Sequence, residues 1–168
     1  ETGAIIPPIQ SSATFARDEN YETRKPYWYK RDGNETTSHA EAVIADLEEA
    51  KDTLLFSSGM SAATVVIDHL EEKSHVVVPK AMYHGVLHQF KTYEKKARLS
   101  VSYYEAGDLN ELSEVINHNT SLVWAETPNN PDWAVTDIRK AADIAHKHGA
   151  KLLTDCTGTP PCATRALN

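Results

Sequence analysis

Several features by which a sequence commonly declares its partners are scarce or missing here. There are two cysteines, Cys156 and Cys162, close together and with no second pair. That excludes a zinc ribbon and a disulfide framework, and points to a reducing, cytoplasmic setting. No apolar run approaches the roughly 20 residues that cross a bilayer, and no charged-then-apolar leader opens the chain, so no membrane partner is expected. Basic clusters are absent too. Acids and bases are interspersed around a formal net charge of −7, which removes nucleic acid from the expected partners. Neither a Gly-x-Gly-x-x-Gly fingerprint nor a P-loop occurs, which counts against a generic nucleotide-binding module. The first residue is not methionine and Ala166-Leu167-Asn168 brings no closing element, so a piece of a longer polypeptide is expected. Asn34-Glu35-Thr36 and Asn119-Thr120-Ser121 match the glycosylation triplet, a pattern common by chance, and nothing else points to secretion.

What is present suffices for one ordinary core: 168 residues, 40% apolar and 24% charged, the balance of a globular protein. Residues 1–37 carry no sustained period but hold Pro7-Pro8, Pro26 and the aromatics Tyr21, Tyr27, Trp28 and Tyr29. So many rings argue against a disordered tail and for an extended arm that folds against something else, another subunit being the natural candidate. Ser38 to Glu41 has capping-box spacing, and Val43, Ile44 and Leu47 continue a helical pattern to about Ala50. Residues 1–50 therefore read as arm and first helix, and 51–168 as part of a larger α/β domain.

From Thr53 onward short apolar runs alternate with helical patterns. Expected strands are Thr53–Ser57, His75–Val78, Leu99–Tyr103, Leu122–Ala125 and Leu152–Asp155; expected helices are Ser61–Leu70, Tyr83–Tyr93, Asp108–Asn117 and Val135–His148. Runs of Val, Leu and Ile without polar alternation are those of strands buried on both sides. The fold class that follows is α/β, a mostly parallel sheet with helices on both faces, preceded by the arm. Ligands of such sheets sit beyond the carboxyl ends of the strands. Those ends carry Ser58-Gly59-Met60, Tyr83-His84-Gly85, Glu126 to Pro131, and Asp155-Cys156-Thr157.

Each segment has two readings. Ser57 to Ala62 is either a plain helix start or a backbone cradle for a phosphate. Tyr83 either packs or stacks on a planar ligand, Asn130 either serves a turn with Asn129 or bonds a ring substituent, and Asp155 either caps or pairs with a protonated ring nitrogen. Four separate bland roles on one rim are less economical than one shared ligand: a planar heteroaromatic ring with a phosphate tail.

Gly3 to Phe15, Tyr27-Trp28-Tyr29-Lys30-Arg31, Phe56 to Ala62, His75-Val76-Val77-Val78-Pro79, Trp124 to Pro131 and Asp155-Cys156-Thr157 resemble, in order and over essentially the whole chain, the Cys/Met-metabolism pyridoxal-phosphate enzymes. That group includes cystathionine γ-synthase, cystathionine γ-lyase, methionine γ-lyase and O-acetylhomoserine sulfhydrylase. The resemblance implies the large domain of a fold-type I pyridoxal-phosphate transferase, incomplete here, with pyridoxal 5'-phosphate as cofactor. By it, Gly59 and Met60 would bind the phosphate through backbone N–H groups. Tyr83, the residue with an implied catalytic place, would stack on the ring; Asn130 would lie near the ring's phenolic oxygen, Asp155 would keep the ring nitrogen protonated, and Thr157 would be a further cofactor-binding residue. Tyr29 and Arg31 match arm positions that reach a neighbouring subunit's phosphate.

The chain departs from the family pattern at Asn34-Glu35-Thr36 (usually Asn-Pro-Thr), Tyr83-His84-Gly85-Val86 (usually Tyr-Gly-Gly-Thr) and Asp155-Cys156-Thr157 (usually Asp-Asn-Thr). The family's Schiff-base lysine, in a Ser-x-x-Lys segment, has no counterpart here; Lys80 and Lys151 read as surface charges. What the resemblance implies is the N-terminal part of a lyase or transferase of methionine and cysteine metabolism, including transsulfuration. It would catalyse γ- or β-elimination or replacement on a small amino acid. It would act as a homo-oligomer, dimer or tetramer, or with a complementary chain that carries the lysine, and would be inactive alone. The competing reading is a catalytically inactive structural or regulatory subunit that keeps the fold.

Overall fold

The computed structural model describes residues 3, 5–24 and 26–167. The chain forms two compact units: one runs to Leu55 and takes in Leu167, the other spans Phe56–Ala166.

In the first unit the arm doubles back on itself. Thr14 bridges Tyr29 and Arg17 bridges Thr23, both antiparallel, and Asp18 Oδ1 closes the bend by accepting from the N–H groups of Asn20 and Glu22, each at 2.9 Å. Helix α1 covers Glu35–Glu48. It begins earlier than the Ser38 capping box predicts because Asn34, buried, offers its side-chain oxygen to Thr36 N at 3.0 Å and Thr37 N at 3.1 Å. A side chain that satisfies two of the otherwise unpaired first-turn donors sets the helix start.

The second unit contains helices α2 (Gly59–Asp68), α3 (His84–Lys95), α4 (Leu109–Val115) and α5 (Ile138–Lys147), and strands β1 (His75–Pro79), β2 (Ser100–Tyr104), β3 (Thr120–Glu126) and β4 (Lys151–Asp155). The strands form one sheet in the order β2-β1-β3-β4, every pair parallel. The two central strands are β1 and β3, and their residues are the most buried, β1 along its whole length. Alternate side chains serve opposite faces. Val76, Val78, Leu122 and Trp124 pack with Ile67, Met82, Val86 and Phe90 of the α2–α3 side. Val77 and Val123 pack with Leu112, Ala141 and Ala145 of the α4–α5 side. Each Val, Leu, Ile, Met and Phe side chain among these contributes roughly 1.5–3 kcal/mol by leaving water, so the doubly covered sheet holds this unit together.

Asp108 caps α4 where the sequence places that helix's start, accepting from the N–H groups of Asn110 and Glu111. Helix α5 starts at Ile138 rather than at the expected Val135, because Asp137 caps it by accepting from Lys140 N. Gly149, at φ +76°, ends the chain's turn after α5 in a conformation that favours glycine. Glu111 follows Asp108 at capping-box spacing but does not complete the box. Its carboxylate accepts instead from Glu105 N and from Lys80 Nζ, the latter at 2.6 Å.

One expected strand is absent among the described residues. Thr53–Ser57 has no ladder partner, and Leu54 and Leu55 are exposed; Leu55 N donates to the Glu41 carboxylate at 3.0 Å. An apolar, β-prone run becomes a strand only when a neighbouring strand takes its backbone groups. No helix among the described residues is long and apolar enough to cross a membrane.

Candidate functional site

The four strands are parallel, so their carboxyl ends share one rim. A cavity of about 730 Å³ opens there, lined by residues that include Gly59, Met60, Tyr83, Glu126, Asn130, Asp155 and Thr157. Six of the eight residues singled out from the sequence are thus gathered round one space. The other two, Tyr29 and Arg31, belong to the first unit, where the Arg31 guanidinium lies 4.2 Å from the centroid of the Tyr29 ring.

One wall is the start of α2. Ser58 caps it, its Oγ accepting from Ser61 N at 3.1 Å, and its carbonyl takes Ala62 N at 3.2 Å. The N–H groups of Gly59 and Met60 precede these and have no intrahelical acceptor. They lie at the end of the helix where its dipole favours an anion.

The ring of Tyr83, the residue that leads into α3, is part of the wall and is 38% exposed. Its position depends on Gly85. A Cβ there would come within 2.8 Å of the Tyr83 ring and 2.9 Å of Met60 Sδ, so the missing side chain lets the starts of α2 and α3 meet. The His84 ring lies 4.8 Å from that of Tyr83 between centroids.

The opposite wall comes from the ends of β3 and β4, where Glu126 and Asp155 are register partners. Asp155 Oδ1 accepts from Thr157 N at 3.0 Å and from Thr157 Oγ1 at 2.6 Å. Two donors on one oxygen orient the carboxylate. Thr127 N donates to the Asp155 carbonyl at 3.0 Å, which extends the strand pairing into the loop. Asn130 is exposed on the loop that follows β3.

Glu126 was visible in the sequence only as the first residue of a turn-rich segment, yet it is buried at 5% exposure. Its Oε2 accepts from Tyr83 N and its Oε1 from Asn130 N, both at 2.8 Å. Burial raises its pKa above the ordinary carboxylate range, an effect opposed by these two N–H groups and reinforced by the nearby charge of Asp155. The signal that finds it is positional: it is the last residue of a strand whose neighbour ends in Asp155. Trp124 and Trp133 also line the cavity, and the buried Trp124 Nε1 has no hydrogen-bond partner among the described residues.

The donor set suits pyridoxal phosphate. It offers N–H groups at a helix start for a phosphate, an aromatic face, an amide and an oriented carboxylate around a space large enough for a substituted pyridine. No lysine lines the cavity among the described residues. Lys80 pairs instead with Glu105 at 3.1 Å and Glu111 at 2.6 Å, and Lys151 is exposed, both on the surface as the sequence suggests.

Comparison with known proteins agrees with pyridoxal phosphate as the cofactor. Residues 1–168 match the model of the family described as Cys/Met metabolism PLP-dependent enzyme. Cystathionine beta-lyase of Coxiella burnetii is 32% identical over 167 residues, and cystathionine gamma-lyase of Saccharomyces cerevisiae 35% identical over 170; each alignment covers 99% of this chain and 43% of the relative. Among solved structures, cystathionine gamma synthase from Xanthomonas oryzae pv. oryzae in complex with cystathionine superposes with a TM-score of 0.91 at 30% identity. That match covers 99% of this chain and 43% of the other. Cystathionine gamma-lyase from Lactobacillus plantarum complexed with L-serine gives 0.91 at 29% identity, with the same coverage. The chain therefore spans less than half the length of these relatives and corresponds to their N-terminal part. On a match over its whole length, this chain belongs to the Cys/Met-metabolism family of pyridoxal-phosphate-dependent enzymes.

Proposed function

We propose that this chain supplies the cofactor-holding part of an enzyme of sulfur amino acid metabolism that carries out elimination or replacement at the γ or β carbon of a small amino acid. The observation that carries this reading is the meeting of the α2 N-terminus, Tyr83, Asn130 and Asp155 round one cavity at the carboxyl rim of the sheet. Gly59 and Met60 bind the phosphate through their N–H groups. Tyr83 stacks on the ring, and Asn130 bonds the phenolic oxygen. Asp155, oriented by Thr157, keeps the ring nitrogen protonated, because a carboxylate beside that nitrogen stabilises its charged form. Pyridoxal phosphate, once bound, supplies the electron sink for the substrate's carbanion.

Two further contributions come from outside this cavity. The lysine that links the cofactor and moves protons belongs to a segment or chain that completes the assembly. Tyr29 and Arg31 contribute to the phosphate site of a neighbouring subunit in a cytoplasmic homo-oligomer, a dimer or tetramer. Support for the arm's role is its surface: Ile5, Ile6 and Ile9 are largely exposed, as is Arg31.

The test is cofactor binding by the complete assembly. Pyridoxal phosphate is expected to give a visible absorbance band that borohydride makes permanent on the protein. Asp155→Asn should keep the fold while lowering turnover severely, and Arg31→Ala should weaken cofactor retention. An assembly with every chain present that bound no pyridoxal phosphate would overturn the reading, and unchanged retention in Arg31→Ala would remove the arm from it.

A further inference from the structure

Tyr83 and Asn130 stand on loops far apart in the chain, one after β1 and the other after β3. Neither loop is part of the strand ladder at these residues, so the ladder does not by itself set the distance between them. One buried side chain reaches both. The Glu126 carboxylate receives Tyr83 N on Oε2 and Asn130 N on Oε1, each at 2.8 Å, from the end of the central strand β3.

We propose that Glu126 is a positioning residue that clamps the two loops bearing Tyr83 and Asn130, and so sets the width and alignment of the slot that receives the cofactor ring. This rests on the pyridoxal-phosphate reading for the identity of the ring, but not for the clamp itself. The chemistry requires a carboxylate. Both contacts are accepted from N–H groups, and only an ionised carboxylate offers two acceptor oxygens without a proton between them. Charge-assisted bonds of this kind are roughly twice as strong as neutral ones. Ordering energy spent before the ligand arrives is not charged against its binding. A neutral amide at the same place would turn one of its two arms into a donor facing a donor. A shortened acid would keep both acceptors but withdraw them by one methylene.

The second arm of the clamp has a further support. Asn129, next to the clamped Asn130, is 1% exposed and donates through Nδ2 to the Ala81 carbonyl at 2.6 Å. The loop after β3 is therefore tied both to Glu126 and to the segment just before Tyr83. Glu126 is the only one of these groups that bonds to both of the residues that face the cavity.

The experiment compares wild type, Glu126→Gln, Glu126→Asp and Glu126→Ala in the full chain and its complete assembly. Amide hydrogen exchange at Tyr83 and Asn130 is read without pyridoxal phosphate, and dissociation constant and visible circular dichroism are read with it. Glu126→Gln should speed exchange at one or both amides, reduce the cofactor's dichroic signal and weaken binding about tenfold, the equivalent of about 1.4 kcal/mol. Glu126→Asp should recover part of each effect, and Glu126→Ala should exceed Glu126→Gln. His75→Asn, at the far end of the same sheet, controls for general loosening and should leave the cofactor signal unchanged. The clamp is overturned if Glu126→Gln leaves exchange at both amides unaltered. It is overturned equally if loss of cofactor binding follows thermal destabilisation alike in Glu126→Gln and His75→Asn. Wild type that protects both amides but binds no pyridoxal phosphate would keep the clamp and overturn the cofactor reading instead.

Discussion

The longest helix in the chain, the 14-residue α1, buries none of its side chains, whereas the seven-residue α4 buries Leu112 completely. The same contrast runs through the two units. Up to Leu55 no apolar side chain is buried among the described residues, and Ile9, Trp28, Val43 and Leu47 are all exposed. From Phe56 onward two apolar clusters close on either side of a parallel sheet. Local signals are equally good in both: a capped helix, bonded turns, aromatic rings in contact. What differs is a surface to pack against, and most helical stability in proteins comes from that packing rather than from propensity. A segment that invests in order without a core of its own is suited to meet its core elsewhere, which accords with the proposed role of the arm across a subunit boundary.

This contrast can be broken most directly by deleting apolar volume from each unit. Phe90 is fully buried and meets Trp124 edge-on at 5.6 Å between ring centroids. Phe90→Ala should cost about 3–5 kcal/mol in urea unfolding, whereas Ile9→Ala should stay within about 0.5 kcal/mol. Comparable losses would mean the arm has a core after all. Gly85→Ala comes next in size. The added methyl must push the Tyr83 ring or Met60 Sδ aside, an overpacking cost of about 1–3 kcal/mol. Cofactor titration should show weaker pyridoxal phosphate binding in Gly85→Ala than its loss of thermal stability accounts for.

Asn34→Ala probes the first unit by its local structure alone. Losing the side-chain acceptor for Thr36 N and Thr37 N should cost about 1 kcal/mol of helix stability, visible as fraying of α1 by far-ultraviolet circular dichroism without effect on the sheet. A smaller effect concerns His75, which joins β1 to its neighbours through Thr120 Oγ1 at 2.8 Å and Ser102 Oγ at 2.9 Å. Burial holds its pKa below the ordinary value of 6.5, so the folded state prefers the neutral ring. As pH falls past 6.5 the unfolded chain takes up the proton first, and stability declines until the folded ring titrates as well. His75→Asn should flatten that acid limb in thermal melts, and an unchanged limb would remove His75 as its source.

Much of the second unit is legible in the sequence because its signals are local and repeated. Val76-Val77-Val78 and Leu122-Val123-Trp124 read as strands buried on both faces, and alternation with amphipathic helices leaves a parallel sheet as the natural arrangement. The rim follows from that: parallel strands put Tyr83, Asn130 and Asp155 at one edge, and Gly59 joins them as the first residue of α2, although the run before it forms no strand. Thr53–Ser57 reads equally well as a strand and is not one here, because pairing is a property of two segments and a single segment carries no record of its partner. The helix start at Asn34 was hidden for a different reason. Asn and Ser both cap helices, and only the observed hydrogen bonds show that Asn34, rather than the expected Ser38, sets this start.

The sequence alone determined the alternation of elements, the residue types at the strand ends and, through ordered motifs over the whole chain, the family. These depend on the order of side chains along one dimension. Tertiary structure decided which groups meet across the cavity. Glu126 looks like the opening of a proline-rich turn until the sheet brings its two oxygens to backbone donors from segments that are remote in the chain. Hydrogen bonds of that kind depend on distances in space, to which composition and periodicity are blind, and burial makes them count by removing the water that would otherwise take their place.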